Sequence, residues 1–292
     1  MNRRALLHAL LASGACLEFG CARQPTLANK GKRRVVSLSP GITETLFAIG
    51  AGEQLVGVSD YCNYPEAAKK LPRTGTALTP GYEAIVRLSP TLIVCEAAQS
   101  APRRELTALG VTKFIPWLSL EDIVAGIRLL GVLTAHVPEA NALATKLWDG
   151  LAVAEAKDGP RVLLVLGEGA AKLSEIYFIQ RNSVHGAALR AAGARNAVAE
   201  DVKGVPRMSV EELLRLDPDA IIVLVAASAN APPDAEILHD YQALEPLRAQ
   251  KNQRIAVLKS DEAFANGPRI LTLAEHLKQK LAELFPAVPK AP

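Results

Sequence analysis

Residues 82–94 read YEAIVRLSPTLIV, and residues 210–222 read VEELLRLDPDAII. The two segments align without a gap although they begin 128 residues apart. Glu83 falls opposite Glu211, Arg87 opposite Arg215, Leu88 opposite Leu216, Pro90 opposite Pro218 and Ile93 opposite Ile221. Each segment joins a short amphipathic stretch to a Ser-Pro or Asp-Pro break and then to an apolar run. Such a pattern predicts a helix, a turn and a buried strand, because the residue before a proline is pushed out of the helical region. A second pair supports the first: LFAIGAGEQLVGV (46–58) resembles LRAAGARNAV (189–198), with Leu46, Ala48, Gly50 and Ala51 opposite Leu189, Ala191, Gly193 and Ala194. Two αβ units recurring at similar offsets predict two lobes of one design.

Working outward, strands are expected at Val35–Leu38, Leu55–Val58, Leu92–Cys95 and Phe114–Pro116. In the second half they fall at Val162–Leu166, Asn196–Ala199, Ala220–Val225 and Ile255–Leu258. Helices are expected between them at Thr43–Ile49, Tyr82–Leu88, Arg103–Leu109, Val184–Ala192, Val210–Leu216 and Ile270–Leu284. Strands alternating with helices imply parallel sheets covered on both faces, an α/β architecture of two Rossmann-like lobes. The intervening stretch carries a Ser119–Asp122 capping-box pattern and a Pro138 suited to a first helical turn. Glu139 to Lys157 is Ala/Leu-rich and, apart from Gly150, free of Gly and Pro. It predicts one rod of about 19 residues and roughly 28 Å, unlike a Gly/Ser/Pro linker. The expected organisation is a leader at 1–28, an N-terminal lobe at 34–136, a connecting helix at 137–158 and a C-terminal lobe at 160–288.

The chain has 292 residues, a formal net charge of +3 and only 4% aromatics. Without residues 1–28 it keeps 30 basic and 29 acidic residues, so no basic stripe argues for nucleic acid. The leader places Arg3-Arg4 ahead of an apolar stretch too short to span a bilayer and ends on Thr26-Leu27-Ala28. That order fits an export signal and a periplasmic destination. The residues leave open lipidation at Cys16 or Cys21, in poor contexts, and export by the twin-arginine route. Cys62 and Cys95 match no zinc spacing; an oxidising compartment leaves pairing open, and free, half-buried thiols are the expectation. Gly167 and Gly169 make half of a dinucleotide fingerprint, but Lys172 stands where the third glycine belongs. No other nucleophile, phosphate or metal motif occurs, so no catalytic residue, cofactor or resident metal is expected.

The stretches RVVSLSPGITETLFAIGAGEQLVGVSDYCNYP (34–65), GYEAIVRLSPTLIV (81–94), SVEELLRLDPDAII (209–222) and SDEAFANGPRI (260–270) resemble class III substrate-binding proteins of ABC importers. Within that family the chain is most similar to the vitamin B12 members. The resemblance covers nearly all of 34–285. It implies two α/β lobes joined by one long helix, with a corrinoid or another metal chelate, such as haem or a ferric siderophore, held between them. It also implies partnership with a permease dimer and its ATPase, and contact with the membrane only through these or a lipid anchor.

Ligands of open α/β sheets gather beyond the carboxyl ends of the strands. The expected ligand residues are Ser39, Tyr61, Glu96 and Trp117 from the first lobe and Asp261 and Arg269 from the second. Thr43, Tyr64, Arg181 and Phe264 are further candidates. By resemblance, Tyr61 and Asp261 match positions that contact ligand in the B12 relatives; Tyr64, ahead of Pro65, is explained by local packing. Where those relatives carry tryptophans, this chain has Ala77, Glu96 and Val205. Arg181, Arg207 and Arg269 read equally as receivers of anionic groups and as solvated rim arginines. His185 is the one candidate for an axial haem ligand, although packing at a helix N-terminus is the preferred reading. The resemblance assigns Glu83 and Glu211 to permease docking. Glu212 is expected to fill the capping box of Ser209, leaving Glu83 and Glu211 without a local role.

Overall fold

Each half of the chain builds one four-stranded parallel sheet. The computed structural model describes residues 33–97, 103–167, 175–202, 206–228, 231–242 and 244–286. The leader with Cys16 and Cys21, the Gly169 and Lys172 positions and Val205 fall outside them. The first sheet contains β1 (Val35–Ser37), β2 (Leu55–Val58), β3 (Leu92–Glu96) and β4 (Thr112–Ile115), in the order β2-β1-β3-β4. The second half supplies β5 (Arg161–Leu166), β6 (Ile176–Tyr177), β7 (Arg195–Asn196), β8 (Arg207–Met208), β9 (Ala220–Ala226) and β10 (Ile255–Ser260). Its sheet, read from the matching edge, runs β7-β5-β9-β10, and β6 pairs antiparallel with β8 as a separate ribbon. The two sheets therefore have the same topology. The aligned segments supply β3 and β9, both interior strands, whose continuous apolar runs suit burial on both faces.

The helices are α1 (Pro40–Ala48), α2 (Glu66–Lys69), α3 (Tyr82–Arg87), α4 (Arg103–Ala108), α5 (Leu120–Thr134) and α6 (Val137–Leu151). They continue as α7 (Val184–Ala191), α8 (Val210–Leu216), α9 (Asp234–Gln242), α10 (Arg248–Lys251) and α11 (Ile270–Leu284). The second repeated pair closes α1 and α7 in the same way. Gly50 (φ 83°) and Gly193 (φ 95°) take a left-handed conformation that glycine adopts without a Cβ penalty. The next amide then reaches back to the last turn: Ala51 N to Leu46 O at 2.8 Å, and Ala194 N to Leu189 O at 3.3 Å. This is a Schellman closure made twice. The capping boxes of Ser119 with Asp122 and of Ser209 with Glu212 form as their spacing predicts.

The connecting helix differs from the rod expected over 137–158. It ends at Leu151, and residues 152–158 are all exposed. Most helix stability comes from burying an apolar face, and past Leu151 no such face is covered. Fifteen residues give about 22 Å. The helix also does more than bridge. One apolar core runs from Val35, Ile42 and Leu46 through Ile123, Ile127 and Leu130 of α5 and Leu147 and Leu151 of α6 to Val162, Leu189, Leu224 and Leu277. The two sheets thus share a helical layer. Alternation along the strands sends the other residues outward. Val36 and Ile93 join a cluster outside the first sheet, and Ile221 and Val223 one outside the second.

Cys62 and Cys95 are free, as expected, but fully rather than half buried, and they belong to different clusters. Burial pushes the Cys95 thiol up to about 11 and raises that of Cys62.

Candidate functional site

The carboxyl ends of strands from both sheets meet at one cavity of about 310 Å³. The first half contributes Glu96, at the end of β3, with Trp117 and Leu118 beyond β4. The second contributes Leu166, at the end of β5, Phe178 to Gln180, Ser183 to His185 at the start of α7, and Phe264 and Asn266 beyond β10. Trp117, Phe178 and Phe264, from two lobes, therefore border a space whose polar lining is Glu96, Gln180, Ser183, His185 and Asn266. Such a lining suits an organic ligand with a large apolar face.

Hydrogen bonds stitch the seam beside this cavity. Trp117 Nε1 donates to Asn266 O at 2.7 Å, and Asn266 Nδ2 donates to Glu96 Oε1 at 3.1 Å. Ser39, the N-cap of α1, donates its hydroxyl to the same Glu96 oxygen. Val184 N donates to Leu118 O at 2.8 Å. Gly41 must be glycine for this approach: a Cβ there would stand 2.4 Å from Asn266 Oδ1 and 2.6 Å from Trp117 Nε1. At the edge of the seam, Arg269 makes a two-point contact with Glu44, Nη2 to Oε1 at 2.7 Å and Nε to Oε2 at 3.1 Å. Their side chains are 19% and 6% exposed, and the guanidinium stacks 4.1 Å above the Tyr64 ring. Paired donors matched to a carboxylate make this the strongest polar contact between the lobes.

Burial raises the Glu96 carboxyl above the usual range, against the opposing pull of its hydrogen bonds from Ser39 and Asn266. Burial also drives His185 down to about 4, partly offset by its bond to Ala263 O. Since a carbonyl only accepts, Nε2 of His185 carries the proton in that 3.2 Å contact. The imidazole is neutral at pH 7.

Of the residues expected to bind ligand, Glu96 and Trp117 line the cavity, as do Phe264 and His185. Ser39 is buried behind Glu96 as its donor, and Thr43 is buried against Ser37 and Cys62. Tyr61, 69% exposed, and Asp261, also exposed, are not among this cavity's lining residues. The arginines proposed for anionic groups are committed elsewhere. Arg269 holds Glu44, Arg181 donates to Ala199 O at 2.9 Å, and Arg207 pairs with Glu175 at 2.9 Å. Tyr64 does more than pack against its proline, since its ring carries Arg269.

Glu83 and Glu211 are exposed in the first turns of the equivalent helices α3 and α8. Both have a local role that the sequence did not reveal. Glu83 pairs with Arg87 one turn on at 3.3 Å. The Glu211 carboxyl is held below its usual range by its own backbone amide and by the Ser209 hydroxyl.

Sequence reasoning missed Phe178 and Gln180, in a short apolar run (IYFIQ, 176–180) over which no element was expected, and Asn266, in a Gly-Pro loop. It also missed the partner of Glu44. The signal for Glu44 was an acid on the otherwise buried face of α1. Among the described residues no cluster of His, Cys, Asp and Glu could hold a metal ion, and no helix is long and apolar enough to cross a membrane.

The sequence profile described as periplasmic binding protein matches residues 35–262, from the first strand of one sheet to just past the last strand of the other. The vitamin B12-binding protein of Pectobacterium atrosepticum is 26% identical over 264 residues, covering 86% of this chain and 89% of that protein. The vitamin B12-binding protein of Salmonella paratyphi A is 32% identical over 197 residues, or 65% of this chain and 71% of that protein. The crystal structure of a periplasmic heme-binding protein from Pseudomonas aeruginosa is similar with a TM-score of 0.68 and 26% identity, covering 89% of this chain and 95% of its own. The shared topology of the two sheets, the cavity at their carboxyl ends and these matches lead to one conclusion: the chain belongs to the periplasmic binding protein family, has its class III fold, and is a substrate-binding protein of the ABC-importer class.

Proposed function

We propose that this protein captures a corrinoid, or a metal chelate of similar size, outside the cytoplasm and delivers it to a permease dimer driven by its ATPase. The observation that carries this reading is the cavity between the lobes, bordered by the rings of Trp117, Phe178 and Phe264. A corrin offers the extended apolar face such rings contact. Tyr61 and Asp261, exposed on either lobe, are the proposed contacts for parts of the ligand projecting beyond the cavity. Haem is the second reading. It is favoured by the relative from P. aeruginosa and by Ala77 and Glu96, which stand where B12 relatives carry tryptophans.

Glu83 and Glu211 are the proposed docking points. In each βαβ unit the helix runs against its strands, so the starts of α3 and α8 lie toward the carboxyl edges of the sheets. Two equivalent carboxylates on two equivalent lobes match a partner with two equivalent basic patches.

A thermal-shift series with cyanocobalamin, dicyanocobinamide, haemin and ferric siderophores tests the ligand class, with NAD as the counter-test for an enzyme. A ligand at one hundred times its Kd adds about 2.7 kcal/mol to stability. A shift with NAD and with no chelate would overturn the proposal.

A further inference from the structure

Among the described residues, every polar side chain of the cavity wall but one makes at least one hydrogen bond. Glu96 accepts from Ser39 and Asn266. Ser183 Oγ donates to Gln180 O at 2.8 Å and accepts from Gly186 N at 3.1 Å, and His185 donates to Ala263 O. Gln180 departs from this pattern. It is 8% exposed, it lines the cavity, and its side-chain oxygen Oε1 is buried without a hydrogen-bond partner. A buried amide oxygen with no donor is costly, and native folds retain few of them. The backbone here is well held, since the Gln180 carbonyl also accepts from Ser183 N. The last torsion of a glutamine is intrinsically broad, so the orientation of the terminal amide is set by the partner it meets.

The charge around the cavity narrows what this amide can meet. Among the described residues no lysine or arginine lines the space. The neighbouring guanidiniums of Arg269, Arg181 and Arg207 face Glu44, Asp201 and Glu175. A carboxylate entering here would lose its water, approach Glu96 and meet no cation among the described residues. A primary carboxamide brings no charge, an N–H for Oε1 and a carbonyl for the glutamine N–H₂.

We propose that Gln180 determines ligand specificity in this cavity: its amide pairs reciprocally with a primary carboxamide on the bound chelate and discriminates against the corresponding carboxylate. The inference rests on the proposed function and deepens it, because it names the substituent that is read. A site built to hydrogen-bond a group rejects an analogue that leaves its own polar atoms unpaired.

The test uses the mature protein, cyanocobalamin and its side-chain monocarboxylic acids, in which one propionamide has been hydrolysed. The parent should bind cyanocobalamin at least tenfold more tightly than one of these acids. Gln180→Leu should lower affinity for cyanocobalamin about tenfold and bring the amide-to-acid ratio for that compound close to one. The ligand-free variant should melt at or above the parent midpoint, because the unpaired oxygen is gone. Gln180→Met gives the same readout with a more adaptable side chain if the leucine packs badly. If parent and variants bind amide and acids with the same ratio, the role of Gln180 is overturned and the proposed function stands. If the parent binds haemin and no corrinoid, the carboxamide reading and the corrinoid assignment both fall. If it binds no chelate, so does the function.

Discussion

Removing the Glu44 carboxylate should strand a guanidinium in the seam. Breaking a buried ion pair from one side typically costs about 3–5 kcal/mol, mostly because the remaining charge has lost its solvent and its partner. Here the loss is reduced. Arg269 is 19% exposed and keeps the Asp261 carbonyl at 3.2 Å, Glu262 Oε1 at 3.5 Å and the face of Tyr64. We expect about 2–3 kcal/mol for Glu44→Ala, which for a domain of this size lowers the thermal midpoint by roughly 4–12 °C. Arg269→Met in the same background removes the stranded charge and should restore part of the loss. The double-mutant cycle should therefore show a coupling of at least about 1 kcal/mol. Calorimetry of the parent, the two single variants and the double variant measures it. Small-angle scattering should show a larger radius of gyration for Glu44→Ala. Strictly additive losses, or a Glu44→Ala midpoint within about 1 °C of the parent, would refute the view that this pair clamps the lobes.

Three further outcomes follow from the site and its surroundings. His185 is depressed from its ordinary value of 6.5 to about 4, so the unfolded chain takes up the proton first. Its contribution is fully present above pH 6.5 and is lost as pH falls toward 4, by up to about 3 kcal/mol. Denaturant midpoints of the parent should fall over that window more than those of His185→Gln, and equal pH slopes would contradict the assignment. Cys62 and Cys95 should resist alkylation in the folded protein and react only on unfolding, since both thiols are buried and raised; stoichiometric labelling of the native state at pH 7.5, read by intact mass, would disprove this. Glu83→Arg with Glu211→Arg should abolish transport in vesicles reconstituted with the permease, because like charges then face the docking surface. Ligand titration of the same soluble variant should match the parent, and normal transport would leave both glutamates with only the local roles seen here.

Local signals carried most of the architecture. The positions of β2, α8 and α11 agree with their patterns to the residue, and the repeated segments do supply equivalent interior strands. Those features depend on short-range chemistry: a proline break, a capping serine, a glycine at positive φ. The end of α6 was not legible, because Ala-rich sequence past Leu151 favours a helix by propensity while nothing covers it. The shared core was equally hidden, since periodicity shows which face of a helix is apolar and not what it packs against. The same limit applies at the site. Arg269 read as an anion receiver because its partner Glu44 lies 225 residues away. Gln180 carried no signal at all, since its significance is a missing bond.

Each sheet is made from one uninterrupted stretch of chain, Val35–Ile115 for the first and Arg161–Ser260 for the second, and no strand crosses over. A polypeptide delivered from its N-terminus therefore holds every strand of the first sheet before any of the second has emerged. The outer cluster of Val36, Leu38, Ile85, Ile93 and Leu106 can condense at that point, because all its members precede residue 116. The inner face cannot, for its cover includes Leu147 and Leu151 and, farther on, Leu189 and Leu277. Emergence thus passes through a stage with one side of a parallel sheet finished and the other covered only by α1. The α5–α6 hairpin is the next part of the chain able to cover that apolar face, and the second lobe completes it.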